Sequence, residues 1–523
     1  MPRELRRLQQ ALRSTFMLKA IDDFLNKTTM YRLLIYYLGG LLAVAVVVGS
    51  FGDLGFGSMS LIASTAILLA ACWTINRGFA YIFKTPVNHE SSIITALILA
   101  LIVTPRLGLY DVMFLLAASG LAMASKYILT IKNVHIFNPA AIAVVITALG
   151  PQQDASWWIG TGVMVPFVVA GGVMVVRKIR REHMVYSFIA VSFVTTAFLT
   201  WLNHGNVMTS IVQTALTSPV FFLAFVMLTE PLTSPSTKHK QVWYGVLVGL
   251  LVPPQVHLAR FYTSPELALV IGNIFSAIIS PRVRVLPVLV QKLRIAANSV
   301  DFVFRIDKQL AYRPGQYMEW TLPHSHIDNR GNRRYFTLAS SPTEQTLRLG
   351  VKFYDPSSSY KHALIDMAQT TDIVATQVSG DFVLPRSSKT KLVFIAGGIG
   401  VTPFRSMVKY LLDSHEQRDV VMLYAANTTQ DIAYKDIFDQ AQQELGMATT
   451  YVVAELGATQ SIQPNFRTGR VDVDAISALV PEYRGRTYYI SGSHQMVVAV
   501  QAALAQLGVP KRHIKVDYFP GYM

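Results

Sequence analysis

The chain has 523 residues, too many for one ordinary domain, so two or three are expected. Hydrophobic residues make up 52% and charged residues 15%, far from the balance of a soluble protein, while the formal net charge is +15. The single cysteine, Cys72 in an apolar run, excludes a disulfide framework and any iron–sulfur cluster ligated by this chain's own cysteines.

The opening stretch, MPRELRRLQQALRSTFMLKAIDDFLNK, lacks the short apolar core and small-residue cleavage site of a signal peptide. Leu5, Leu8, Leu12 and Phe16 recur at helical spacing with Arg6, Arg7 and Arg13 between them. This predicts a cationic amphipathic helix over 1–29, lying on the inner membrane surface. From 30 to 281, apolar stretches near the bilayer-spanning length follow one another: 31–51, 58–75, 91–105, 109–129, 134–150, 157–176, 184–202, 211–230, 242–259 and 264–281. The third is short enough for a broken or re-entrant helix.

Basic residues fill alternate loops: Arg77 and Lys84; Lys126 and Lys132; Arg177, Lys178, Arg180 and Arg181; Lys238 and Lys240; Arg282 and Arg284. The intervening loops hold only Arg106 and Arg260. By the positive-inside rule both termini are then cytoplasmic, in a bacterial-type inner membrane, and the number of spans is even. The basic excess is topological and argues against a nucleic-acid partner. LIVTP (101–105) and VMLTEP (226–231), with FNPAA (137–141) and NIFSA (273–277), hint at two halves of five spans each. An odd repeat makes the halves inverted, with a ligand site at their interface.

Past Arg282, VDFVFRI, MEWTL, RYFTLA and LRLGVKFY alternate in polarity between Pro, Gly and Asn turns, which predicts a small antiparallel β-barrel over 284–386. From 389 to 523, KLVFIAGG, DVVMLYAA, TTYVVAE and RTYYISGS alternate with helical stretches and predict a parallel α/β sheet. In FIAGGIGVTPF (394–404) a strand runs into glycines and then a helix start, a form that lets backbone N–H groups approach a phosphate.

HIFNPAA (135–141), FVMLTEPLTSP (225–235) and GNIFSAII (272–279) resemble the membrane components of Rnf-type electron-transport complexes and, equally, those of Na⁺-translocating NADH:quinone reductases. The resemblance covers 30–281. It implies ten helices in two inverted five-helix repeats, membrane lipid around them, and a bound flavin (FMN or riboflavin) rather than haem, with Asn138 and Thr214 as candidate contacts. Those families attach FMN to the threonine of Ser-Gly-Ala-Thr. Here IVQTAL (211–216) supplies Thr214 without Ser-Gly-Ala, which argues against covalent attachment.

RPGQY (313–317), RYFTLASSP (334–342), the glycine loop, SGSHQM (491–496) and KVDYFPGYM (515–523) come in the order of the ferredoxin–NADP⁺ reductase family, which this region resembles over 284–519. The resemblance implies FAD in the barrel and NAD(P)H on the sheet. Arg334 would pair with the FAD pyrophosphate, bidentately. Tyr335 lies beside it, and Phe336, where the family has tyrosine, would cover one face of the isoalloxazine. Thr337 would reach flavin N5. Lys352, Ser357, Ser358, Ser359 and Lys361 are further FAD contacts. Gly397, Gly398, Gly400, Thr402 and Pro403 would form the dinucleotide loop, with Gly492 kept for close approach. Ser491 stands where relatives carry a cysteine near nicotinamide C4. Phe519 would stack on the flavin and swing away for hydride transfer, with Tyr522 a rival. Thr337, Ser491 and Phe519 are the catalytic candidates, and no metal ligand is expected.

The leading reading is a membrane-bound flavoprotein oxidoreductase. It would pass electrons from cytoplasmic NAD(P)H through FAD and a second, membrane-embedded flavin to a quinone or an extracytoplasmic redox protein. A ferric-reductase type would need paired haem histidines, whereas His89, His135, His204 and His257 lie singly. A redox-gated transporter is a third reading, in which Glu90 and Glu230 bind a cation or else cap helices and pair with basic residues. YAANTTQD (424–431) has neither an acidic ribose clamp nor an arginine pair, so NADH and NADPH stay undistinguished.

Overall fold

The computed structural model describes residues 28–85, 89–149, 155–258, 261–280, 282–328, 330–454 and 464–519. The amphipathic helix expected ahead of residue 28, and Tyr522, lie outside the described residues. The chain divides into two compact units, 1–284 and 285–523.

The first unit is helical. Its elements are α1 (Met30–Ser50), α2 (Ser58–Ile82), α3 (His89–Ile102), α4 (Leu109–Ile128), a hairpin of β1 (Thr130–Ile131) and β2 (Val134–His135), and α5 (Pro139–Leu149). There follow α6 (Val165–Ile179), α7 (Glu182–Leu202), α8 (Val207–Thr217), a π-helical stretch Leu223–Met227, α9 (Lys238–Leu251), a hairpin of β3 (His257–Leu258) and β4 (Phe261–Tyr262), and α10 (Pro265–Ile279). Each expected apolar stretch contains a helix, but the helices are unequal. Among the described residues, four helices are long and apolar enough to cross a membrane (α1, α2, α4 and α7), or five if α8 and Val220–Met227, bent by 60°, form one span. The shorter α3, α5 and α10 are also apolar.

Local chemistry explains the short ones. Asn138 and Ser264 are N-caps, accepting from the Ala141 and Leu267 N–H groups at 3.1 and 3.3 Å. Pro139 and Pro265 follow as first helical residues, where a missing N–H costs nothing. Hairpins lie ahead of both, and hydropathy alone counts Val134–His135 of the first into the stretch 134–150. Pro219 likewise marks the bend after α8.

Irregular backbone at membrane depth must find its partners within the protein. The Trp157 N–H donates to the Ile102 carbonyl at 2.9 Å, and Trp158 Nε1 to those of Ala100 and Val103 at 3.0 and 3.1 Å, which closes the end of α3. Trp157 Nε1 donates to the buried Glu266 carboxylate at 2.8 Å. Between α5 and α10, Asn273 Oδ1 accepts from the Asn138 N–H at 2.8 Å while its Nδ2 donates to Tyr244 Oη at 2.9 Å. Arg282 Nη2 donates to the Thr233 carbonyl at 2.9 Å. Close packing of α9 on α7 uses Gly249, where a Cβ would lie 2.8 Å from the Phe188 carbonyl oxygen.

The second unit begins with two antiparallel sheets. One has the order β10 (Thr346–Lys352), β7 (Ser299–Arg305), β6 (Val288–Ala296); the other β5 (Arg284–Val285), β11 (Val374–Ser379), β8 (Tyr317–Thr321), β9 (Arg333–Thr337). Helix α11 (Ser359–Asp366) lies between β10 and β11 in sequence. A six-stranded parallel sheet follows, in the order β15 (Phe466–Thr468), β14 (Ala448–Val453), β13 (Val420–Ala426), β12 (Leu392–Gly397), β16 (Thr487–Ser493), β17 (Ile514–Phe519). Its helices are α12 (Thr402–Asp413), α13 (Lys435–Leu445), α14 (Val473–Leu479) and α15 (His494–Gln506). The chain leaves β12 toward β13 and returns on the other side at β16. The strand order therefore reverses between β12 and β16, where open α/β sheets bind ligands.

Asn273→Ala is expected to lower the stability of the detergent-solubilised protein by on the order of 1–3 kcal/mol, because the buried Asn138 N–H loses its acceptor. The check is the thermal midpoint. A wild-type midpoint would show that the bond is dispensable.

Candidate functional site

The crevice at the switch point is built from glycines. The loop Gly398–Val401 leaves β12 and α12 begins at the buried Thr402, with Pro403 in its first turn. A Cβ on Gly400 would sit 2.6 Å from the Gly492 backbone, and one on Gly492 would be 3.2 Å from Gly397 Cα. A Cβ on Gly397 would collide with the Met496 sulfur. Gly400 and Gly492 thus let the loop after β12 touch the end of β16 backbone to backbone, while Gly397 makes room for the Met496 side chain. Gly398 differs: its φ is +52° and nothing lies within 4 Å of a Cβ there. That conformation favours glycine and leaves the loop's outer side open.

Ser491 pairs with Ala396 on β12 and with Asp517 on β17. Its Oγ is fully buried without a hydrogen-bond partner among the described residues. A buried hydroxyl in that state is costly unless a ligand completes it. The backbone of Phe519 continues β17 opposite Ser493; its side chain is outside the described residues.

The barrel side centres on β9. Thr337 Oγ1 is likewise a buried hydroxyl without a protein partner. Arg334 is buried, and its Nη1 donates to the carbonyls of Arg330, Arg333 and Gly331 at 2.7, 2.6 and 3.2 Å, while its guanidinium lies 5.0 Å from the Tyr360 ring centre. Phe336 has its ring centre 6.0 Å from that of Tyr360. Tyr335 is exposed, with its ring 5.7 Å from Tyr317.

The three serines have distinct tasks. Ser357 Oγ donates to the Tyr354 carbonyl, and Ser358 caps α11 by accepting from the Lys361 N–H at 3.3 Å. The Ser359 N–H donates to Asp328 Oδ2 at 3.0 Å, and its hydroxyl accepts from the Asp328 N–H at 3.0 Å and meets His324 Nε2 at 3.1 Å. Asp328 was not visible as a site residue in the sequence, yet its carboxylate holds the start of α11. Burial pushes its carboxyl up, but the Ser359 and Arg330 N–H groups and the Arg330 charge outweigh that and hold it below the usual range. Lys361 donates to the Lys352 carbonyl at 2.7 Å and lies 4.7 Å from the Tyr354 ring centre. Burial, with repulsion from Arg334 and Arg330, pushes its ammonium down to about 8. Lys352 pairs with Asp431 at 3.4 Å.

In the first unit Asn138 and Thr214 are not brought together by any bond. Asn138 is spent on the α5 cap and on Asn273. Thr214 lies partly exposed on α8, a helix without buried residues, and its carbonyl accepts from Ser218 Oγ at 2.5 Å. Glu90 pairs with Arg32 at 3.2 Å and Glu230 with His135 at 3.3 Å.

With this geometry in place, comparison with known proteins divides the chain in the same way. Residues 150–285 match the NQR2, RnfD, RnfE family, and residues 394–502 match the oxidoreductase NAD-binding domain. The chain thus joins a membrane segment of the first type to an oxidoreductase NAD-binding segment of the second. The flavohemoprotein of Bacillus subtilis is 27% identical over 211 residues, which are 40% of this chain and 51% of that protein. Flavohemoprotein A of Dictyostelium discoideum is 23% identical over 245 residues, 44% of this chain and 58% of that protein. The chain therefore spans about half the length of the curated relatives it matches. Among solved structures, a cytochrome P450 reductase of Amycolatopsis is 24% identical, with a TM-score of 0.41, covering 46% of this chain and 72% of the other. The FAD/NAD-binding domain of a nitric oxide dioxygenase from Vibrio cholerae is 21% identical, with a TM-score of 0.40, covering 45% and 98%.

Two outcomes are expected at this site. Gly400→Ala forces the β12 and β16 loops apart, so calorimetry should find nucleotide binding lost with FAD content kept; retained nucleotide affinity would contradict the packing role. A phosphate beside Lys361 would favour its charged form and so raise its pKa on binding. FAD association would then take up a proton, and affinity should fall as pH rises above about 8. Fluorescence titrations between neutral and alkaline pH, repeated with Lys361→Met, should show the slope in wild type and its loss in the variant.

Proposed function

We propose that the chain is a membrane-bound flavoprotein that oxidises NAD(P)H with FAD in its second unit and passes the electrons through its first unit to a quinone or an extracytoplasmic redox protein. The observation that carries this reading is the pairing, in one chain, of a glycine-packed crevice at the switch point of an NAD-binding sheet with a helical unit of NQR2, RnfD, RnfE type. The flavohemoprotein relatives, flavin proteins by name, agree with FAD as the cofactor.

The residues present fit these groups. Thr337 and Ser491 offer two buried hydroxyls without protein partners, one on the barrel strand and one on the sheet strand. Bound FAD supplies a hydride acceptor able to release electrons singly. Arg334, Lys352 and Lys361 provide positive charge for its pyrophosphate, and Phe336 an aromatic wall. Thr337 orients the ring through its hydroxyl. Gly398 leaves backbone room for the nucleotide's phosphates ahead of α12, whose N-terminus favours negative charge. Ser491 holds the nicotinamide by its hydroxyl, and Phe519 covers the flavin until the nucleotide arrives.

A second carrier among the helices follows from distance. The hydrocarbon core is about 30 Å thick, too wide for a single electron hop. The resemblance carried by HIFNPAA and FVMLTEPLTSP implies FMN or riboflavin for this role. Thr214 is better placed than Asn138 to touch it, since Asn138 is committed to helix capping. The loop charges put the reductase unit on the cytoplasmic side of a bacterial-type inner membrane.

Purified protein reconstituted in liposomes and fed NADH or NADPH from outside should reduce an impermeant dye trapped within. Oxidation of the nucleotide by external acceptors, with the trapped dye untouched and FAD intact, would contradict electron passage across the bilayer.

A further inference from the structure

Arg405 lies one turn into α12, just past the dinucleotide loop, and its side chain is 4% exposed. Its guanidinium is held at both prongs by Glu344: Nη2 donates to Oε1 at 2.9 Å and Nη1 to Oε2. Nη1 also donates to the Ala339 carbonyl at 3.1 Å. Ala339 is two residues beyond Thr337 on the chain leaving β9, and Glu344 belongs to the turn that follows.

The carboxylate is fixed in turn from the barrel side. The Ser341 N–H donates to Glu344 Oε2 at 2.6 Å, and Arg348 lies 3.6 Å from Glu344 while pairing with the buried Asp301 at 2.9 Å. Around the pair, Ser406 Oγ donates to the Ser340 carbonyl at 2.6 Å. A Cβ on Gly350 of β10 would fall 2.6 Å from Tyr434 Oη and 2.8 Å from the Thr402 methyl group. The Tyr434 ring centre is 5.7 Å from the Arg405 guanidinium. Thr402 apart, none of these residues belongs to the cofactor-binding set, yet together they join the flavin strand to the nucleotide helix.

We infer that Arg405 and Glu344 are positioning residues: their buried fork sets how closely the dinucleotide loop lies against β9, and so the separation across which the nicotinamide hands its hydride to the flavin. The inference rests on the function proposed above. An apolar contact would let the two layers slide with little cost, whereas a two-pronged guanidinium–carboxylate pair has one good geometry. Lysine at 405 keeps the charge and loses the fork; glutamine at 344 keeps the shape and loses the charge.

The test uses the full chain in detergent, as wild type, R405K and E344Q. FAD content and thermal midpoint are measured first. The flavin is then reduced anaerobically with dithionite, and NAD⁺ or NADP⁺ is titrated for the long-wavelength charge-transfer band of a reduced flavin stacked on oxidised nicotinamide. Flavin bleaching by nucleotide deuterated at C4 is followed by stopped flow. The expected result is retained FAD, loss of the charge-transfer band, and bleaching slowed on the order of a hundredfold, the penalty of misplacing reactants by about 1 Å. The band and bleaching of wild type in either folded variant would overturn the inference. So would a loss of rate in proportion to lost FAD in both, since that marks a merely structural pair. A wild-type protein that binds FAD but is not bleached by either nucleotide would instead refute the proposed function, a distinct outcome.

Discussion

The second unit depends on one close approach: the loop leaving β12 lies against the end of β16, backbone to backbone at Gly400 and Gly492. Gly400 meets Gly492 so closely that a single methyl group would part them. Once the loops touch, α12 starts at the edge of the sheet, Ser491 is sealed at the base of the crevice, and Gly398 faces outward in a left-handed conformation. The glycines act first on the protein's own backbone and through it on a ligand. Much of what reads as a phosphate-binding signature is in this sense a packing requirement with a cradle as its consequence.

The helical unit answers a different constraint, that backbone polar groups in lipid must be satisfied by protein. Its short helices α3, α5 and α10 could not otherwise end within an apolar environment. An indole N–H takes a carbonyl at the end of α3 and Asn273 the amide at the start of α5, while Arg282 takes the Thr233 carbonyl in the segment ahead of α9. Buried polar residues also lie within the helices, where hydroxyls such as those of Ser64 and Thr196 donate to carbonyls of their own helix. The same order occurs twice in the unit, at 130–149 and 257–279: a hairpin, a cap and a proline, then a short apolar helix.

The sequence displayed the element order well because the periods differ: long apolar runs before residue 282, two-residue alternation after it, and buried-strand runs from 389 on. The glycine loop was legible for the same local reason. What it hid was tertiary. Hydropathy began one stretch at 134, although Asn138-Pro139 carried the helix-start signal that the structure uses, whereas the stretch from 264 begins at the cap itself, Ser264. Thr337 and Ser491 could be named, but not that both hydroxyls lack protein partners. Asp328 and the Arg405–Glu344 fork gave no signal, since their meaning arises only from contacts across 31 and 61 positions of chain.

Two separate demands meet in one polypeptide: a tightly packed glycine loop on an NAD-binding sheet and a set of interrupted apolar helices. The central claim is that the crevice serves hydride transfer from a pyridine nucleotide to FAD. It is tested most directly by anaerobic mixing of the purified chain with NADH or NADPH while the visible flavin band is recorded. The account requires rapid bleaching in a single turnover, with one nucleotide oxidised for each FAD reduced. A protein that holds both FAD and nucleotide, yet keeps its flavin oxidised, would contradict it.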